Sequence, residues 1–365
     1  MRDLITITAI YSIFAYSSSY LTMWKVLLLL PFLISTETTA QKITREDFMI
    51  SSDPGVQIFI REISGRKRSR KPPILLVHGG GAGSLALYDL PVPGGSLAED
   101  LAKHGLKVYI MDVRGWEKST RPDYDTNKRY VINGSSAEAS RDIDAAVNFI
   151  IERTGQRQVT LFGTATGGHW MGYYACIYPY KVNALIMLNS LYNVKAPWRF
   201  TERYRNPLDT SQFYYAATPP LRRADAATLL QLWNNSIPVA DKTEWYDPAV
   251  AQAYVKTAVS FDEDSVLVVP GGYRAESFYT AQGKGLWHAK DITVPILVVR
   301  GALDTWSRPE DMKALEEKLV NAPKKQFLTL AEGTHILFLD RPEKGRAQLI
   351  SAMLEFNQKR PKKRR

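Results

Sequence analysis

Short apolar runs alternate with longer amphipathic segments along most of the chain. The runs are ILLVHGGG (74–81), KVYIMDVRG (107–115), QVTLFGTA (158–165), NALIMLNS (183–190), PILVVRGALD (295–304) and KQFLTLAEGTH (325–335). A continuous apolar run bounded by turn residues is typical of a strand buried on both faces, and such strands alternating with helices form a parallel sheet. The pattern therefore predicts an α/β fold with a mostly parallel central sheet flanked by helices.

In two further segments the apolar positions recur at regular intervals. Residues 47–63 (DFMISSDPGVQIFIREI) alternate apolar and polar positions on both sides of Asp53-Pro-Gly, which predicts an antiparallel hairpin. Residues 135–155 (SSAEASRDIDAAVNFIIERTG) have helical periodicity, with Ser136 near the start and Gly155 as a stop signal.

Residues 191–290 interrupt the alternation of strands and helices. They contain no convincing buried strand but many aromatic residues, namely Tyr192, Trp198, Phe200, Tyr204, Phe213, Tyr214, Tyr215, Trp233, Trp245, Tyr254 and Trp287. We predict a mostly helical insertion that forms a cap over the carboxyl ends of the strands, with its rings lining an apolar cavity. The alternative is that these rings form the insertion's own core.

The N-terminal segment has the layout of a signal peptide. MWKVLLLLPFLISTETTAQ begins at Met23, which we take as the true start, and continues through a short apolar run to Ala40, after which cleavage is expected. Residues 1–40 are therefore predicted to be removed on export, which makes the mature protein secreted or periplasmic. The alternative is an uncleaved membrane anchor that runs from about residue 5 to residue 34.

Charge adds little to the functional interpretation. The net charge is +10, but six of these charges lie in the final KRPKKRR, so the rest of the chain carries only +4. We therefore expect no nucleic-acid partner. Residues 358–365 are predicted to be a solvated, disordered tail, and a weaker alternative is contact between this tail and an anionic membrane surface. The predicted folded core comprises residues 41–190 and 291–357, with residues 191–290 as the cap.

The segment LFGTATGGHWMG (161–172) follows a predicted strand and begins a predicted helix. It has the form of the nucleophile elbow G-x-S-x-G, with Ala165 at the serine position. Gly163 and Gly167 suit such a turn because the tip residue is strained and the strand and helix approach closely.

The chain resembles the α/β-hydrolase superfamily, of the type with a lid insertion, across about residues 46–357. The motifs that carry the resemblance are VHGGGAGS (77–84), DVRGWEKSTRP (112–122), LFGTATGG (161–168), GALDTWSRPED (301–311) and EGTHILFLDRP (332–342). The resemblance implies Asp304 as the orienting acid and His335 as the general base. It further implies an oxyanion hole from backbone N–H groups near Gly80 or Gly81 and at Thr166. His78 is expected to orient the oxyanion loop through hydrogen bonds.

The positions of Asp304 and His335 agree with these roles. Each follows an apolar strand, so both are expected at the carboxyl edge of the sheet, where open α/β sheets place their sites. A carboxylate on one imidazole nitrogen fixes the tautomer and stabilises the imidazolium. No spacing of residues suggests a metal site, and no cofactor is expected. His169, on the elbow helix, faces either the pocket or solvent, and we assign it no role.

Alanine at residue 165 cannot form an acyl-enzyme. Three explanations remain open: a shifted register in which Thr164 or Thr166 reacts, a deliberate replacement of serine, and a natural departure in which His335 activates water or deprotonates a bound substrate. The sequence therefore predicts an exported ester-type hydrolase acting on a small apolar substrate, either disabled or serine-free. The alternative is a non-catalytic protein that binds an apolar ligand.

Overall fold

An eight-stranded sheet lies at the centre of the computed structural model, which describes residues 42–65, 71–123 and 133–357. Its strands are β1 Ile43–Ser51, β2 Gln57–Gly65, β3 Ile74–Val77, β4 Lys107–Met111, β5 Val159–Thr164, β6 Val182–Leu188, β9 Ile296–Gly301 and β10 Lys325–Leu330. The remaining strands, β7 Leu221–Asp225 and β8 Val266–Pro270, form a separate antiparallel pair. The predicted signal peptide and basic tail lie outside the described residues.

The strand order is β1-β2-β4-β3-β5-β6-β9-β10. The six strands from β4 to β10 in this order are mutually parallel, whereas β2 pairs antiparallel with both β1 and β4. The predicted α/β fold, its mostly parallel sheet and the hairpin around Asp53 are therefore confirmed. All residues of β3, β5 and β6 are buried, which explains why their sequences are almost continuously apolar.

The helices are α1 Ser84–Tyr88, α2 Leu97–Lys103, α3 Ser136–Thr154, α4 Thr166–Ile177, α5 Thr201–Tyr204, α6 Ala226–Asn234, α7 Pro248–Ala258, α8 Tyr273–Ala281, α9 Pro309–Lys318 and α10 Arg346–Phe356. Helix α3 confirms the predicted helix. Ser135 is its N-cap and forms a capping box with Glu138, and Gly155 ends it in the left-handed conformation. In the described ranges, no helix has the length and apolar content needed to cross a bilayer.

Between β6 and β9 the chain forms α5 to α8 together with the β7–β8 pair. The strand pair was not predicted, because β7 reads Leu-Arg-Arg-Ala-Asp and three of its five residues are charged. Several cap rings pack on one another: Trp198, Tyr204, Phe213 and Phe278 belong to one apolar cluster separate from the main core. These rings pack on one another and also on Trp306, which follows β9, so they join the insertion to the residues beside the sheet.

Candidate active site

Ala165 occupies the turn between β5 and α4 with φ 50° and ψ −117°. This backbone conformation is strained for any residue with a Cβ. Neighbouring glycines permit it, since a Cβ on Gly163 would lie 2.5 Å from the carbonyl carbon of Gly167. Thr164 is the last residue of β5 and Thr166 the first of α4. The shifted register is therefore wrong, because neither threonine lies at the tip of the turn.

His335 and Asp304 are hydrogen-bonded at the carboxyl edge of the sheet. The imidazole Nδ1 lies 2.6 Å from Asp304 Oδ1, and the side chain of His335 is 32% exposed whereas that of Asp304 is fully buried. Asp304 also accepts hydrogen bonds from the backbone N–H groups of Trp306 and Ser307 and from the Ser307 hydroxyl. Burial raises the pKa of Asp304, but His335 and these donors outweigh burial and hold the pKa below its usual value. The acid is therefore a carboxylate that orients the ring.

Asn189 and Ser190, directly after β6, connect this pair to the elbow. The Asn189 amide donates to the carbonyls of Thr334 and His335, both at 3.0 Å, and its oxygen accepts from the Gly301 N–H at 2.8 Å. The Ser190 hydroxyl donates to the Ala165 carbonyl at 2.9 Å. Sequence reasoning missed both residues. Their position at the end of the apolar run NALIMLNS is the same signal that identified Asp304.

The loop after β3 lies against the elbow. A Cβ on Gly79 would be 3.3 Å from the Ala165 Cβ and 3.7 Å from the Thr166 nitrogen. His78 is buried within this loop, where its Nδ1 donates to the Gly79 carbonyl at 2.7 Å and its Nε2 accepts from the Val113 N–H at 3.0 Å. Burial lowers the pKa of His78 to about 4. The ring is therefore neutral and holds the loop in place.

The oxyanion hole is expected to consist of backbone N–H groups on the loop after β3 and at the start of α4. Among the residues that the structure describes, the N–H groups of Gly80, Gly81 and Thr166 donate to no protein acceptor. The ring of Tyr273 covers Gly80 so closely that a Cβ there would lie 2.2 Å from it. Only glycine fits beneath this ring.

His169 is buried on α4 and does not face solvent. Its Nδ1 accepts from the Trp287 indole at 3.2 Å, and its Nε2 has no partner among the described residues. Burial lowers the pKa of His169 to about 4. The side chain therefore packs as a neutral ring against the cap residue Trp287.

Two buried carboxyl groups lie beneath the loop that carries Gly83. Asp112 accepts from the Ser84 N–H at 2.8 Å, and Glu117 accepts from the Leu85 N–H at 2.8 Å. Burial raises the pKa of Asp112 to about 6, and burial together with the charge of Asp112 raises the pKa of Glu117 far above its usual value. The pair therefore binds a proton more tightly than carboxyl groups in water do. Sequence reasoning recognised the Asp-x-Arg-Gly segment but not this pair.

The neighbouring Arg114 braces the same segment through ion pairs to Asp142 at 2.6 Å and Asp53 at 2.7 Å. This contact links β4 to α3 and to the β1–β2 turn. Within 42–65, 71–123 and 133–357, no three His, Cys, Asp or Glu side chains are grouped so that they could hold a metal ion.

The chain is similar to known proteins over most of its length. The model of the alpha/beta hydrolase fold family matches residues 72–342. A 1-acylglycerol-3-phosphate O-acyltransferase, ABHD5, is 32% identical over 135 residues in Sus scrofa and 31% identical over 135 residues in Homo sapiens. The match covers 37% of this chain and 32% of each relative, so the chain matches about a third of the length of these relatives.

Solved structures agree at the level of the fold. The thioesterase domain from the curacin biosynthetic pathway superposes with a TM-score of 0.56 at 20% identity, covering 85% of this chain and 99% of that domain. A thermophilic esterase from Thermogutta terrifontis gives a TM-score of 0.54 at 17% identity, covering 86% of this chain and 100% of the esterase. The chain belongs to the α/β-hydrolase fold family, with alanine at the tip of its elbow.

Proposed function

We propose that this protein hydrolyses a small, largely apolar ester without a serine nucleophile, using His335 as a general base toward water. The observation that carries the proposal is the hydrogen bond of 2.6 Å between His335 and the buried carboxylate of Asp304. The histidine is partly exposed and therefore accessible to water and ligand.

The mechanism follows from the two nitrogens of the ring. Because the Nδ1–H of His335 donates to Asp304, Nε2 carries the lone pair and can accept a proton from water as the oxygen attacks the ester carbonyl. Asp304 stabilises the resulting imidazolium, which then returns the proton to the departing alcohol. General-base catalysis of this kind contributes about 10²- to 10⁴-fold.

The backbone supplies the second contribution. The N–H groups of Thr166 and of Gly80 or Gly81 are unpaired within the described chain and lie on the two segments that meet at Ala165. Donors that are already oriented toward a developing oxyanion are worth about 10²- to 10³-fold each. They depend on the backbone, so alanine at residue 165 leaves them in place.

The substrate class rests on the relatives. The curated relatives are named as acyltransferases, and the structural neighbours include a thioesterase and an esterase. All of these names refer to the transfer or hydrolysis of an acyl group. We extend this chemistry to the present chain as part of the proposal.

The proposal is tested by assaying short- and medium-chain aryl esters with the wild type, His335→Ala and Ala165→Ser. We expect slow turnover by the wild type and at least a ~100-fold loss in His335→Ala, because the general base is removed. Wild-type turnover that His335→Ala leaves unchanged would contradict the proposal. Activity that appears only in Ala165→Ser would instead identify a disabled serine hydrolase.

A second candidate is a non-catalytic protein that binds an apolar ligand, and the absence of a nucleophile at Ala165 favours it. Its test is calorimetric titration with non-hydrolysable apolar ligands. Tight binding together with no turnover in any of the three chains would support this candidate over hydrolysis.

We also propose that the protein is exported, on the basis of the signal-like segment that ends at Ala40. N-terminal sequencing of the protein from its native host tests this. We expect a chain that begins at Gln41, and an intact N-terminal segment would contradict export with cleavage.

A further inference from the structure

We propose that Arg222 of the cap forms an anion-binding subsite beside the oxyanion loop, which takes a carboxylate or phosphate group of the ligand. The inference deepens the proposed function, because it rests on a ligand bound between the cap and the carboxyl edge of the sheet. It changes the expected ligand from a purely apolar molecule to one with an apolar part and an anionic group.

Arg222 lies beside the oxyanion loop. It lies on β7, and its Nη1 donates to the Gly80 carbonyl at 2.9 Å and to the Tyr273 hydroxyl at 3.3 Å. Gly80 follows Gly79, which lies beside the Ala165 Cβ. The guanidinium is thus placed next to the loop that faces the elbow.

One edge of the Arg222 guanidinium makes no hydrogen bond to the described residues. Nε and Nη2 of Arg222 donate to no atom of the described chain, whose bonds to this guanidinium all come from Nη1. These two nitrogens form the edge of arginine that grips a carboxylate with two parallel hydrogen bonds. The same edge of other arginines in this protein holds an acid, as in Arg45 with Asp89 and Arg114 with Asp142.

Arg222 has no carboxylate partner among the described residues. No carboxylate of the described residues forms an ion pair with Arg222; the side chain that it contacts is the Tyr273 hydroxyl at 3.3 Å, and the phenols of Tyr254 and Tyr204 also interact with its charge. Burial raises the pKa of Tyr254 to about 12, so this phenol is neutral near pH 7. A half-buried cation without an anionic partner is costly, and an anionic ligand group would relieve that cost.

A competing explanation is that Arg222 only clamps the Gly80 carbonyl. A clamp would support the loop for every ligand, whereas an anion subsite discriminates by ligand charge. Arg223 provides a matched control, because it is the next residue of β7, is exposed, and loses the same charge when replaced by glutamine.

The experiment measures binding of octanoate, octyl phosphate and octanamide to the full chain by calorimetry at low salt. None of these is a carboxylic ester, so the proposed hydrolysis cannot consume them. The chains are the wild type, Arg222→Gln and Arg223→Gln. We expect the wild type and Arg223→Gln to bind at least one of the two anions about tenfold more tightly than octanamide, since hydrogen bonds to charged groups are worth that much.

In Arg222→Gln this preference should disappear while octanamide binding changes by less than about twofold. The ratio of octanoate to octyl phosphate affinity shows which anion the subsite takes. Equal weakening of all three ligands in Arg222→Gln, no preference for anions in the wild type, or no binding at all would overturn the proposal. Turnover of neutral aryl esters is measured separately, so failure of the subsite and failure of the proposed hydrolysis are distinguishable.

Discussion

Asn189 is the side chain that ties the histidine loop to the neighbouring strands. Its amide contacts the backbone of Thr334 and His335 on one side and that of Gly301 on the other. The residue has φ 51°, a conformation that asparagine tolerates better than most residues. The position of His335 therefore depends on a residue that takes no part in proton transfer.

We expect Asn189→Gly to lower the free energy of unfolding by about 1–3 kcal/mol, because buried backbone groups lose their partners while glycine accepts the positive φ. Denaturant unfolding measures the loss. As a control, Gln252→Ala on the exposed side of α7 should change stability by less than about 0.5 kcal/mol. An equal effect of the two substitutions would contradict the role given to Asn189.

Among individual residues, the sequence predicted three of the side chains that follow strands but missed Asn189 and Ser190 after β6, and it missed Arg222, which acts across elements. Ala165, Asp304 and His335 each follow an apolar run, so their shared edge could be predicted. Arg222 could not be, since its partner Gly80 is 142 residues away and only the folded cap brings them together.

The turn from β5 into α4 is the element on which the site is built. A Cβ on Gly167 would lie 2.3 Å from the His78 carbonyl oxygen and 2.7 Å from that of Val77, both backbone atoms. Because these atoms belong to β3 and the oxyanion loop, the spacing between elbow and loop is set by the lack of a side chain at Gly167.

Replacing Gly167 with alanine should therefore be destabilising by about 1–3 kcal/mol or more, the usual cost of overpacking a core. Thermal unfolding measures it. Gly105→Ala is the comparison, since Gly105 has φ +80° but open space around its Cα; its cost is about 1 kcal/mol of backbone strain. Retention of full stability by Gly167→Ala would show that β3 and α4 separate easily.

Elements buried on both faces were the easiest to predict. Strands β3, β5 and β6 have no solvent-facing side, so their apolar runs are visible in the sequence. Strand β7 was missed because its Arg222, Arg223 and Asp225 are charged and mask its pairing with β8.

For the molecule as a whole, the buried pair of Asp112 and Glu117 makes stability depend on pH. The folded chain keeps a proton on Glu117, whose pKa is raised well above its usual value, whereas the unfolded chain releases it above about pH 4.5. The free energy of unfolding therefore decreases as pH rises, until Glu117 also ionises in the folded chain.

Glu117→Gln replaces the protonated acid with a neutral amide. Relative to this variant, we expect the wild type to lose on the order of 1 kcal/mol of stability per pH unit as the pH rises above about 4.5, until Glu117 ionises in the folded chain. Urea unfolding at several pH values measures the difference. The exposed Glu152→Gln serves as control, and its curve should run parallel to that of the wild type. If the difference in unfolding free energy between Glu117→Gln and the wild type does not change with pH, Glu117 does not hold its proton more tightly in the folded chain.

The last described residue, Asn357, fastens the end of α10 to the sheet. Its amide donates to the Pro72 carbonyl at 3.0 Å and its oxygen accepts from the Thr160 hydroxyl at 2.5 Å. Genetic shortening of the chain thus has a sharp limit: a stop codon after Asn357 spares both bonds, whereas one placed a codon earlier removes them. Comparing the full chain with the longer of these two truncated proteins therefore tests how the lysine- and arginine-rich terminus affects binding to anionic vesicles, because both chains keep the two bonds of Asn357.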